Sequence, residues 1–307
     1  MIPVPLALAT ELSAAVQVVA LVLIGCGYAR RTRTLARGAD RVPGRRQACF
    51  YGGCVLIAAA LLALGPTGQR LLYVQTIEDL LVGDVGALLI VLGLTAQMLE
   101  PILQVRFGSV RPFARLRVLS HPAIAFLLWG ANLYAWHLRV LYQATLQDTT
   151  VHMLEHAMLL GFGINMWMCL LGPLPSPRWF GNLAKLVYIL AVRLALIGLG
   201  NLLLWSRAAF YPFFVHGDAL RFVSPIADQN IAGAIIAAEG TIATLGLCYW
   251  LFLHAARQGE EHRDLIAFAH ARGVELSAAR VASAVSSGRG PELRRRLEAR
   301  TRATERT

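Results

Sequence analysis

Three histidines carry the pattern in this chain most able to do chemistry. His137 lies on one side of the short polar turn Gln147 to Thr150, and His152 and His156 lie on the other. Long apolar runs flank that turn, which predicts a hairpin of two membrane helices with imidazoles near its tip. Four residues apart, His152 and His156 share one helix face and are separated by about 6 Å along the axis. His137 sits about three turns before the turn on the partner helix. Imidazoles at this spacing are suited to holding a metal ion. Ionisable groups near the end of a membrane helix are costly enough to point to function by default. Met153 and Met158 are expected to pack, although a thioether beside imidazoles would favour reduced copper.

The elements that position these residues follow from composition. Of the 307 residues, 56% are hydrophobic and 15% charged, with a mean hydropathy of +0.55. Several runs approach the roughly 20 apolar residues that cross a bilayer, and a backbone in lipid must bond to itself, so the expected fold is an all-α, polytopic membrane helical bundle. The expected spans are about Pro5 to Tyr28, Ala48 to Leu64, Leu72 to Leu94, Ala123 to Ala144, Val151 to Leu171, Leu183 to Trp205 and Gln229 to His254. The first has no basic start and no small-residue cleavage site, and reads as a retained span.

Orientation comes from the basic residues. Seven arginines stand between Arg30 and Arg46 against one aspartate, and Arg106, Arg111, Arg115 and Arg117 form a second basic loop. Both loops are expected in the cytoplasm, which puts the N-terminus outside and, after about seven transmembrane helices, the C-terminus inside. The predicted organisation is a seven-span membrane domain over residues 1–255 and a basic cytoplasmic tail over 256–307, read as a surface helix with a partly disordered end. The net charge of +11 is then accounted for by contact with anionic membrane lipid, and no nucleic acid is expected as a partner.

This topology gathers His137, His152, Glu155, His156, Gln75, Glu78, Asp79, His216, Asp228 and Gln229 into the outer third of the bundle. The expectation is one outward-facing polar cluster built by the third, fourth, fifth and seventh spans. Each member has a plainer explanation. A lone interfacial histidine is commonly only hydrogen-bonded, and Glu78, Asp79 and Asp84 could serve as hydrogen-bonding glue between helices. Arg139 is expected to pair with Glu155 or Asp148. Cys26, Cys49, Cys54, Cys169 and Cys248 form no C-x-x-C pair and read as isolated core residues.

Several stretches resemble the CtaG family of multi-span cytochrome c oxidase assembly factors, as distinct from the single-span copper chaperone that shares the name. They are Ser120-His121-Pro122, Tyr134-Ala135-Trp136-His137 continuing to Leu141-Tyr142-Gln143-Ala144, His152-Met153-Leu154-Glu155-His156, and Pro225 with Asp228-Gln229 and Gly233. Together they cover about residues 70–255. The resemblance implies a bacterial inner-membrane protein that helps to mature a haem-copper oxidase at the stage of copper supply, with cytochrome c oxidase subunits as partners. It also implies His137, His152 and His156 as metal ligands and Glu155 as the group orienting an imidazole. Gln75, Asp79, Asp228 and Gln229 are carried as supporting residues.

This chain departs from the family at two places. Where relatives carry H-x-x-x-H early in the third span, it reads Gln75-Thr76-Ile77-Glu78-Asp79, which keeps the face but loses the imidazoles. That change implies weaker binding, a harder ion or an altered role. Glu239 also places a charge inside the seventh span, where it could line the same cavity more deeply or pair with Arg193.

The main competing reading is an enzyme. His152-x-x-Glu155-His156 matches the inverted zincin pattern, with the histidines as zinc ligands, Glu155 as general base and Asp79 or Asp228 as third ligand. That motif is short, and the chain has no soluble peptidase domain. A haem held between His137 and His152 is a further alternative, disfavoured because the two lie too close across one hairpin to sandwich a macrocycle.

Overall fold

The computed structural model describes residues 4–38, 40–65, 71–104, 121–173, 177, 179–211, 223–286 and 290–304, and the regular structure among them is entirely helical. His216, Arg70, Arg221 and the second basic loop fall outside the described residues. The chain divides into two compact units, Met1–Pro177 with Ala191–Thr241 and Arg178–Leu190 with Ile242–Thr307.

In the first unit, α1 (Val4–Ala36) packs along α2 (Gly44–Ala63). Tyr28 of α1 stacks on Phe50 of α2 with 3.8 Å between ring centroids. Its hydroxyl donates to the carbonyl of Gly93 at 2.9 Å. α1 outruns the apolar segment expected to end at Tyr28, because arginines are good helix formers and find acceptors at neighbouring helix ends. Arg31 of α1 donates to the Gln97 carbonyl at 2.6 Å, and at the start of α2 Arg46 donates to the Leu94 carbonyl at 2.6 Å.

The third expected span is a run of three pieces, α3 (Leu72–Leu80), a π-helical turn (Leu81–Gly86) and α4 (Ala87–Gly93). Its polar face turns inward as expected, with Gln75, Glu78, Asp79 and Asp84 all buried. The π turn was not foreseen. Its i→i+5 spacing puts Asp84 one turn below Asp79 on nearly the same face, whereas α-helical geometry would set them roughly 140° apart. A short helix, α5 (Ala96–Gln104), follows.

The fourth expected span is corrected. The helix stops at Trp136, and the segment through Ala144 forms α6 (Pro122–Trp136) and α7 (Arg139–Gln147). His137 ends α6 and Leu138 is extended. The break is satisfied from both sides, since the His137 ring bonds the Leu133 carbonyl at 2.8 Å and the Tyr211 hydroxyl donates to the His137 carbonyl at 3.0 Å.

α8 (Thr149–Leu171) is the hub, packing against α1, α4, α6, α7 and the π turn. The approach to the π turn is close enough that a Cβ on Gly163 would overlap the Gly83 carbonyl oxygen. α9 (Asn182–Trp205) and α10 (Pro225–His270) complete the long helices. Five helices, namely residues 9–36 of α1 and all of α2, α8, α9 and α10, are long and apolar enough to cross a membrane. The protein is therefore an all-α, multi-span membrane protein.

The second unit corrects the reading of the tail. α10 continues to His270, and α11 (Ala278–Ser286) and α12 (Gly290–Thr304) follow it. Leu265, Val281 and Val285 form a small apolar cluster backed by Leu276 and Leu293. The Arg272 and Arg294 guanidinium groups lie 3.6 Å and 4.8 Å from the Phe268 ring. Apolar residues at helical spacing thus give this arginine-rich segment a core of its own.

Candidate metal centre

Two helices bring the central groups together. α8 begins at Asp148, whose exposed carboxylate accepts from the amides of Thr150 at 2.7 Å and Val151 at 3.3 Å. The Thr150 amide, then that of Val151, holds this carboxyl below the usual range. From that start, His152, Glu155 and His156 follow at i, i+3 and i+4 spacing and all point into the bundle, with exposures of 6%, 1% and 2%. On α3 the same spacing directs Gln75, Glu78 and Asp79 inward. The Leu72 and Tyr73 amides that open α3 donate to the Asp228 carboxylate at 2.8 Å and 3.0 Å.

Where the two faces meet, Glu78, His152 and His156 each offer one ligand atom, and these atoms lie within 4.8 Å of one another. The His152 and His156 rings are 4.3 Å apart between centroids. His156 Nε2 stands 3.5 Å from Asp79 Oδ1 and 4.0 Å from Glu78 Oε1. Its Nδ1 lies 3.1 Å from the Gln17 amide oxygen on α1. That oxygen can only accept, so Nδ1 carries the proton and the neutral ring keeps its Nε2 lone pair toward the acids.

The donors are otherwise unsatisfied. His152 Nε2, His156 Nε2, Glu78 Oε2, Asp79 Oδ1, Glu155 Oε2 and both amide atoms of Gln75 are buried without hydrogen-bond partners among the described residues. No lysine or arginine there pairs with Glu78, Asp79 or Glu155. Leaving this many acceptors dry and uncompensated is costly, and a cation would relieve it. Two imidazoles with carboxylates and no cysteine form an N/O donor set that suits borderline divalent ions better than soft ones. The residues present therefore fit a metal ion.

Several sequence expectations are revised by this geometry. The cluster is buried rather than outward-facing, because both polar faces turn toward each other inside the bundle. His137, at the end of α6, is not in the group of three. With Asp79 it lines a separate small cavity of about 40 Å³. Glu78, read from sequence as helix glue, occupies the third position. Glu155 has the Thr145 hydroxyl as its neighbour, and the group that orients an imidazole is Gln17, whose only signal was one amide in an apolar span. Arg139 is exposed and makes no ion pair with Glu155 or Asp148 among the described residues.

Gln229 ties down residues 208–210. Its side-chain oxygen accepts from the Phe210 amide at 2.8 Å, and its nitrogen donates to the Ala208 carbonyl at 3.1 Å. This holds Tyr211 against Tyr142, with 4.2 Å between ring centroids. Burial pushes the Tyr211 phenol well above its usual range.

Below the cluster lies a second ionic group. Arg193 donates to Asp84 at 2.6 Å and 3.1 Å and to Glu239 at 3.3 Å, which is the second of the two alternatives for Glu239. The Trp167 indole donates to the Asp84 carboxylate at 2.9 Å and to its backbone carbonyl at 3.1 Å.

A family model described as cytochrome c oxidase caa3 assembly factor (Caa3_CtaG) matches residues 26–258. No curated protein and no solved structure matches the chain. The match covers every residue of the candidate centre except Gln17, and it removes the hydrolase alternative, since these are assembly factors without catalytic turnover. The chain belongs to the CtaG family of cytochrome c oxidase assembly factors, non-catalytic multi-span proteins of the bacterial inner membrane.

Proposed function

We propose that the protein supports copper delivery to cytochrome c oxidase subunits, holding the ion as cargo between Glu78, His152 and His156 with Asp79 beside them. The observation that carries this reading is the convergence of bare imidazole nitrogens and carboxylate oxygens in a buried space without a counter-cation among the described residues. Bound there, copper would supply the positive charge the acids lack, and Gln17 would hold the His156 ring with Nε2 toward it. The carboxylates also answer the loss of the family's histidine pair at Gln75 and Asp79, at the expense of a harder donor set.

In the arrangement we propose, the five long apolar helices, the run from α3 to α4 and the α6–α7 pair make seven crossings within residues 1–255. The N-terminus is outside, and the basic residues 256–307 are in the cytoplasm. α6 alone is about 22 Å long, short of a hydrocarbon core of about 30 Å, so α7 must share that crossing. The exposed apolar residues Leu12, Leu23, Val55, Leu127 and Leu194 suit contact with membrane lipid.

The test is a competition titration of purified protein in detergent with copper(I) and, separately, copper(II), comparing wild type with a His152→Ala, His156→Ala double variant. Binding of copper lost in the variant is the expected result. Copper binding that is absent from wild type, or equal in both proteins, would overturn the proposal.

A further inference from the structure

Within the second unit, the first turns of α9 meet the part of α10 around His254. The Asn182 amide nitrogen donates to the Gln258 amide oxygen at 2.9 Å, and the Gln258 amide nitrogen lies 3.1 Å from His254 Nε2. An amide nitrogen can only donate, so Nε2 accepts and the neutral ring carries its proton on Nδ1. The ring stacks on Trp250, with 5.3 Å between centroids. Lys185, about one turn beyond Asn182, and Arg257 both lie within electrostatic reach of His254. Lys185 is half-buried and has no carboxylate beside it among the described residues. Arg257 is exposed and forms no ion pair there, and the acids that follow it, Glu260 and Glu261, stand further along α10, away from His254. Two cations and a neutral imidazole thus share a polar cleft without an anion, which is costly for the half-buried ammonium.

We infer that this cleft binds the phosphate headgroup of an anionic phospholipid, with Lys185 and Arg257 neutralising the phosphodiester and Asn182 and His254 Nδ1 supplying hydrogen-bond donors. The surroundings are those of a membrane–water boundary. From Gly246 to Leu253 α10 carries no charged residue, whereas Arg257, Glu260, Glu261, Arg263 and Asp264 follow closely. Trp179 and Tyr249 are exposed, and amphipathic rings of this kind sit at headgroup level. Leu183 and Val187 on α9, with Tyr249 and Phe252 on α10, continue from the cations as exposed apolar surface, which suits acyl chains and favours a lipid over a free anion. A zwitterionic lipid brings its own cation to the phosphate, so basic clefts between membrane helices select anionic headgroups. In the proposed topology the lipid belongs to the cytoplasmic leaflet, and no part of its binding depends on the metal centre.

The experiment follows thermal unfolding of the purified full-length protein in non-ionic detergent as phosphatidylglycerol is added, with phosphatidylcholine and inorganic phosphate as separate arms. A ligand held only by the folded protein raises the melting temperature with its concentration. Phosphatidylglycerol is expected to do so for wild type, and the other two are not. Lys185→Gln, Arg257→Gln should bind the lipid roughly tenfold or more weakly, whereas Lys185→Arg, which keeps the charge, should respond as wild type does. Arg280→Gln, Arg295→Gln removes equal charge from exposed positions on α11 and α12 and should leave the response intact. If loss of Lys185 prevents folding, Arg257→Gln alone, a change at an exposed side chain, should still weaken the response. Wild-type protein that phosphatidylglycerol does not stabilise would overturn the site, as would an unchanged response in Lys185→Gln, Arg257→Gln. A response lost equally in Arg280→Gln, Arg295→Gln would do the same, since net charge would then account for it. An equal rise with phosphatidylcholine or inorganic phosphate would overturn the assignment to an anionic lipid.

Discussion

His156 Nε2 lies 3.5 Å from Asp79 Oδ1, and neither atom has a hydrogen-bond partner among the described residues. Two buried acceptors this close need a shared proton or a metal cation between or beside them. The nearby Glu78 carboxylate adds to the demand. Replacing Glu78 by the near-isosteric Gln removes a charge without emptying the space. Metal affinity should fall by at least tenfold in Glu78→Gln while the protein remains in the membrane. His152→Ala and His156→Ala should abolish oxidase maturation with the same retention. Oxidase activity in membranes from cells carrying each variant, with immunodetection of the protein, checks this, and normal activity in both histidine variants would remove the centre.

Gln17 acts through His156 rather than on the ion. Its amide oxygen fixes the tautomer by accepting from Nδ1 at 3.1 Å. Partners of this kind typically contribute about 10- to 100-fold to metal affinity. Gln17→Leu should therefore weaken copper binding by that factor without changing stoichiometry, and Gln17→Glu, which keeps an acceptor, should restore it. Equal affinity in Gln17→Leu and wild type would show that the contact plays no part in binding.

Much of this arrangement was readable from residue chemistry. Gln75, Glu78, Asp79 and Asp84 had to turn inward because their charges cannot face lipid, and they do. The shared face of His152 and His156 follows from helical spacing. The exchange of His137 for Glu78 in the central group was not readable, because it depends on the break after Trp136. That break is held in part by the Tyr211 hydroxyl, 74 residues away. The π turn was likewise hidden. Leu81 to Gly86 carries no local signature for it, and its partners Trp167 and Arg193 lie 83 and 109 residues from Asp84.

Arg193 is 1% exposed between Asp84 and Glu239, with its guanidinium 4.9 Å from the Trp167 ring centroid. Removing it strands the buried Asp84 carboxylate and leaves the partly buried Glu239 without its partner. Arg193→Met should destabilise the protein by about 3–5 kcal/mol, the usual loss when one partner of a buried pair is deleted. Adding Asp84→Asn and Glu239→Gln to that variant removes the stranded charges and should recover most of the loss. Thermal unfolding in detergent distinguishes the cases. A triple variant no more stable than Arg193→Met would mean that shape rather than charge compensation holds this group.

The contact of Gly163 with Gly83 carries the geometry from one polar face to the other. α8 holds His152 and His156 and the π turn follows Glu78 and Asp79, so the distance between these helices sets the spacing of the donors. A Cβ at Gly163 would overlap the Gly83 carbonyl oxygen, and backbone there cannot move aside as a flexible side chain would. Gly163→Ala should cost about 1–3 kcal/mol in stability through overpacking. Separating the helices should also weaken copper binding, because Glu78 would be drawn away from the two imidazoles. Gly161→Ala is the control, since a Cβ there meets nothing within 4 Å. Copper affinity and melting temperature should both fall for Gly163→Ala and neither for Gly161→Ala. A Gly163→Ala protein that is less stable but binds copper as tightly as wild type would show that the donor spacing does not depend on this contact.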